Sequence, residues 1–157
     1  MKRHLTAAFC SVLAGNLIIT LIEKTLNSGQ SLDQLREILV YADNRAAAAA
    51  AYPADLLLNK IIAWAAGAFI AGLVLNAMLK KRNKFVQGVV VLFYLSAAFI
   101  NIAIIPHPSW VAATIPAIFI VPFLGGLGLT SFVHEINNIP VFKDQHQQDD
   151  TSRQPAL

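Results

Sequence analysis

The chain has 157 residues, 56% of them hydrophobic and only 13% charged, against roughly 45–50% and ~25% in ordinary soluble domains. A globule of this length has too little interior for so many apolar side chains, and a mean hydropathy of +0.57 points to the bilayer as the second solvent. The net charge of +3 does not describe a nucleic-acid surface, because the densest basic run, "KKRNK" at 80–84, lies between two long apolar segments.

The first apolar run, "LTAAFCSVLAGNLIITLI" (5–22), follows "MKRH". Small residues for signal cleavage are only partly in place at "VLA" (12–14), and the run continues to Ile22, so a retained helix is expected. The lone cysteine, Cys10, excludes an internal disulfide or a CxxC metal site and reads as a small buried hydrophobe. Segment 23–60 is the one sizeable external part. There "SLDQ" (31–34) has the form of a capping box, and Leu32, Leu35, Ile38 and Leu39 follow at helical spacing. Alanine carries the pattern on until Pro53 stops it, which predicts one amphipathic helix over about 31–51. The run Ala46 to Ala51 within it reads as neutral filler.

Three further apolar runs occupy 61–79, 85–105 and 110–133. None of the four runs contains Lys, Arg, Asp or Glu, and each approaches the ~20 helical residues that cross a hydrocarbon core. Without water, their backbones must be satisfied internally, as helices. The expected fold is therefore all-α: four transmembrane helices in a bundle within 1–142, one external amphipathic helix, and a polar, disordered tail at 143–157.

Orientation follows from the basic residues. Lys2, Arg3, Lys80, Lys81, Arg82, Lys84, Lys143 and Arg153 fall on one side of the expected spans. Lys24, Arg36, Arg45 and Lys60 fall on the other, diluted by five acidic residues. Eight against four predicts a multi-pass protein of the inner (plasma) membrane with both termini in the cytoplasm.

Two groups of residues stand out as candidate structural or interaction sites. The first is "PHPSW", where Pro106 and Pro108 end one helix and stiffen a tight connection. Trp110 suits the membrane interface. His107 between the prolines then reads as part of a hairpin tip, with a ligand-binding or pH-sensing histidine as the sharper alternative. The second group lies in the spans. Asn16 and Asn101 are costly to bury unpaired, and they sit about 9 and 6 Å from the outer ends of their helices, which predicts a hydrogen bond between them. Asn76 lies near the cytoplasmic end, within reach of water. Ala63, Gly67 and Ala71 form one row of small residues, and Ala68 with Gly72 a second, for an internal contact or a dimer face.

The spacing Asn101, Pro106, Pro108, Trp110, after a glycine- and alanine-rich second span and before "PFLGG" (122–126), resembles an uncharacterised family of small four-helix bacterial membrane proteins. Members of that group end the third helix in an asparagine and a proline-proline-tryptophan turn. The resemblance covers roughly 5–130 and implies fold and location but no reaction. The alanine-rich external segment departs from the proline-rich loop of that group.

No constellation for catalysis, metal or cofactor emerges. GxGxxG, Walker and HExxH patterns are absent, and no histidine lies well inside a span to hold haem; His4, His134 and Glu135 could supply three metal ligands only if the first and fourth spans were neighbours, and they read as ordinary interfacial polar residues. The expected role is therefore non-enzymatic, structural or interactive, with the lipid bilayer and a second copy or another membrane protein as partners. The alternative is a small oligomeric transporter or channel for a small solute.

Overall fold

The computed structural model describes residues 2–27, 29–42, 44–79 and 83–136, and the side chains of all of these except 29–32 and 134–136. Among the described residues, six helices follow in order: α1 (Lys2–Leu26), α2 (Gly29–Tyr41), α3 (Arg45–Ala50), α4 (Ala54–Met78), α5 (Lys84–Ile104) and α6 (Ser109–Ile136). No strand occurs among the described residues. The fold is all-α, and α1, α4, α5 and α6 are each long and apolar enough to cross a membrane.

Two elements differ from expectation. The external segment is two helices rather than one, because Asn44 adopts an extended backbone and its Oδ1 accepts from the Ala47 N–H at 2.9 Å, starting α3 afresh. Asparagine is among the best N-caps, and that local bond outweighs the helix preference of the flanking alanines. The second span begins at Ala54, not at 61. Pro53, with φ −60°, initiates α4, and Asp55 in its first turn complements the positive end of the helix dipole. Lys60 therefore belongs to a spanning helix. The capping box at 31–34 rests partly on side chains outside those described. The basic residues 80–82, the metal-like pair at 134–135 and the tail at 143–157 lie outside them too.

The packing centres on α4, which has α1 on one side and α6 on the other. The two rows of small residues explain why. The row Ala63, Gly67, Ala71 faces α1: a Cβ on Gly67 would meet the Ile19 side chain and, at 2.8 Å, the Gly15 carbonyl. The row Ala68, Gly72 faces α6: a Cβ on Gly72 would collide with the Phe123 carbonyl, and one on Gly126 with the Phe69 carbonyl. Both rows are thus internal contacts. Close approach of this kind gains dispersion from backbone to backbone, the main attraction available where lipid is as apolar as leucine.

Hydrogen bonds reinforce the same joints. The buried Ser11 hydroxyl donates to Ala71 O at 2.8 Å, and Tyr94 Oη donates to Val12 O at 3.1 Å. Asn76 Nδ2 reaches Leu127 O at 3.0 Å and Ser131 Oγ at 2.9 Å, so this amide binds α6, where the sequence suggested water. Trp64, Tyr94 and Phe119 fill the middle, with ring centroids 5.5 and 5.7 Å from Phe119. The helix ends are closed across the fold as well. Asn59 donates to Leu26 O at the end of α1, and both Arg3 Nε and Nη2 donate to Met78 O at the end of α4. Each supplies a donor to a terminal carbonyl that the helix itself leaves without one.

Candidate functional site: a polar cluster at the α5–α6 turn

Helix α5 ends at Ile104 and α6 begins at Ser109, so 105–108 forms the hairpin tip that the two prolines predict. The histidine within it does not face water. His107 is only 7% exposed, and its ring stacks on Tyr52 with centroids 4.8 Å apart. Tyr52 comes from the short link between α3 and α4, so the stack fixes the external segment onto the turn.

The tautomer follows from the partners. Nδ1 of His107 lies 2.7 Å from Ile105 O, and a carbonyl only accepts, so Nδ1 carries the proton. Nε2 is then an acceptor, and Lys60 Nζ stands 3.4 Å from it. The same ammonium donates to Asn101 Oδ1 at 3.0 Å and sits 5.7 Å from the centroid of the Trp64 ring one turn further along α4. One lysine thereby joins α4, α5 and the turn. Arg45 adds α3, donating from Nη2 to Ile102 O at 2.6 Å near the end of α5. Glu23 of α1 is the acidic group whose charge acts on both Lys60 and Tyr52.

Burial holds His107 below the ordinary histidine pKa of 6.5, with the positive charges of Lys60 and Arg45 adding to it and the Ile105 hydrogen bond opposing. Tyr52 is raised above 10.0, first by burial and then by Glu23. The His107 ring therefore takes up a proton more readily in the unfolded chain than in the fold. His107 contributes stability above its unfolded pKa of about 6.5, and that contribution is lost as pH falls through the lower folded value. Unfolding in mild detergent from pH 8 to pH 5 should show a declining Tm below about 6.5, with a smaller decline in His107→Gln. An identical decline in that variant would mean that His107 is not the group responsible.

Of the residues singled out by sequence, Asn101, Pro106, His107, Pro108 and Trp110 come together at this end of the bundle. Arg45, His107, Pro108, Ser109 and Trp110 line a surface depression of about 570 Å³ beside α3. Trp110 is exposed at its rim. Gly67 and Gly72 lie in the middle of α4, in the contacts described above.

Asn16 does not join the cluster. It is exposed on α1, and the expected bond to Asn101 is not formed, since Asn101 accepts from Lys60. The neighbouring Gly15 takes the buried position against Gly67, and one residue further turns the side chain ~100° away. Depth alone predicted the pair, and depth does not fix direction around a helix.

Sequence reasoning missed Lys60, Tyr52, Arg45 and Glu23. A signal existed for Lys60: Leu56, Leu57, Ala63 and Trp64 already follow helical spacing from Pro53, and all four are buried. Chemically, the cluster consists of donors matched to acceptors. Among the described residues, no three His, Cys, Asp or Glu side chains converge as metal ligands. The arrangement is suited to fastening α3, α4, α5 and the turn together. No family model matches the chain, and neither does any curated protein or solved structure.

Proposed function

We propose that this is a multi-pass inner (plasma) membrane protein, related to the small four-helix group its Pro-x-Pro-x-Trp turn resembles, with a structural or interaction role and no catalysis of its own. Both termini lie in the cytoplasm, on the side that carries eight of the twelve Lys and Arg residues. The observation that supports the role is the use made of polar side chains within the spans. Ser11, Asn76 and Tyr94 each direct a hydrogen bond onto a neighbouring helix. Polar groups spent in this way hold a bundle together, whereas a solute path needs them facing a common channel.

A small transporter or channel is the second reading, favoured by one observation: Lys60 is an ionisable group inside a helix of spanning length, beside Asn101 and His107. Intramembrane charge of that kind commonly marks a pathway. The two readings separate in proteoliposomes. The structural reading expects vesicles bearing the pure protein to hold imposed proton and potassium gradients as long as protein-free vesicles do. A leak that scales with protein content and disappears in Lys60→Met would overturn it in favour of transport.

A further inference from the structure

We propose that the groove between α1 and α5 at the Lys- and Arg-rich end is a binding site for one anionic phospholipid. One acyl chain lies in the groove and the phosphate sits at its basic rim. The inference rests on the membrane-spanning reading of α1 and α5 and adds to it a specific ligand.

The groove exists because α1 packs intimately on α4 but only lightly on α5. Two adjoining hollows, of about 440 and 210 Å³, share Leu5, Ala8 and Val89 and so form one trough open to the side. Phe9, Val12 and Phe93 continue its wall. At Val12, the innermost α1 residue of its wall, Tyr94 Oη of α5 donates to the backbone carbonyl at 3.1 Å and ties the two helices together. From Lys2 to Val12 is ten residues, or about 15 Å along a helix. That is half of a ~30 Å hydrocarbon core, the depth of one leaflet.

The rim has the opposite chemistry to the wall. Lys2, His4 and Asn83 line the trough mouth, and Lys84 follows on the first turn of α5. Asn83 uses its Oδ1 to cap Phe85 N and Val86 N, at 3.1 and 3.3 Å, so its amide nitrogen is the donor end. Neither α1 nor α5 has an acidic residue in its first turn. An apolar slot one leaflet deep beneath a rim of cations and amide donors complements a chain attached to a phosphate. A zwitterionic headgroup would set its own cation against Lys2 and Lys84. Basic pockets between helices are a recognised mode of anionic lipid capture, with each surface lysine contributing about fivefold in affinity.

The test uses the full chain in nanodiscs of equal phosphatidylglycerol and phosphatidylcholine, with lipids that stay bound after release identified by native mass spectrometry. The expected result is retention of one phosphatidylglycerol in preference to phosphatidylcholine. Lys2→Gln with Lys84→Gln, two exposed changes that leave the packing intact, should reduce that preference by an order of magnitude or more. Val89→Trp, which fills the trough wall without altering charge, should lower retention of either lipid. Inorganic phosphate added to the detergent-purified protein should not raise its Tm; if it does so as strongly as phosphatidylglycerol, the site takes free phosphate and the lipid assignment is overturned. Equal retention of both lipids by the wild type, or an unchanged preference in the double variant, also overturns the proposal. Failure of the chain to enter nanodiscs at all would instead count against the membrane-spanning reading beneath it.

Discussion

Gly72→Leu is expected to destabilise the bundle by about 3 kcal/mol or more, at or beyond the upper end of the usual cost of overpacking. Even a single Cβ at this position meets the Phe123 carbonyl and, at 3.2 Å, the Leu127 N–H, which are backbone atoms of α6 and cannot rotate aside. Relief requires α4 and α6 to separate. Separation then loosens the reciprocal contact of Gly126 with Phe69 and lengthens both Asn76 hydrogen bonds. Gly128 provides the internal control, since a Cβ there meets nothing within 4 Å. Gly128→Ala should be neutral or stabilising by up to ~1 kcal/mol, from helix preference alone. Unfolding of the three proteins in mild detergent with increasing SDS gives the comparison. A Gly72→Leu variant as stable as wild type would mean that α4 and α6 do not approach as described.

The second large effect is expected at Lys60 and Asn101, and it should be asymmetric. Asn101→Leu removes an acceptor from an ammonium that stays in place, half-buried, 3.0 Å from where the oxygen was. Hydrogen bonds to charged groups contribute about 1.5–3 kcal/mol, and the loss should fall in that range. Lys60→Met keeps much of the side-chain volume and removes the charge, stranding only the neutral acceptors of Asn101 and His107. That change should cost less, since taking away a buried charge also takes away its desolvation. Combining the two should cost less than their sum, with a coupling of about 1 kcal/mol or more in a double-mutant cycle. Asn16→Leu, on an exposed face of α1, should stay within ~0.5 kcal/mol of wild type. Strictly additive effects of Lys60→Met and Asn101→Leu would remove this cluster as the fastening of the turn.

These particular residues mark how far the sequence could be read. The four spans were legible because long runs without charge leave the chain no other favourable solvent, and all four helices are present. The small-residue rows were legible as contact faces. Their assignment, Gly67 to α1 and Gly72 to α6, was not, because sequence spacing gives a face and no neighbour. The start of α4 was obscured by Asn59 and Lys60, whose polarity resembles a boundary. Both are in fact satisfied by partners distant in sequence, Asn59 at Leu26 O and Lys60 at Asn101. The break before α3 turned on a single cap, Asn44, set against a run of alanines that all favour helix. The place of His107 in a hairpin tip was legible from the flanking prolines, but its burial was not. Its burial depends on Tyr52, 55 positions earlier, folding back across the tip.

The polar cluster and the basic rim should lie on opposite sides of a membrane, separated by α5. In a Cys10→Ser background, single cysteines at Ser109, beside the cluster, and at Asn83, beside the rim, can be labelled with a membrane-impermeant maleimide in intact spheroplasts. The cysteine at 109 should react at once, and the one at 83 only after the membrane is opened. Labelling of both from outside, or of 83 alone, would contradict it.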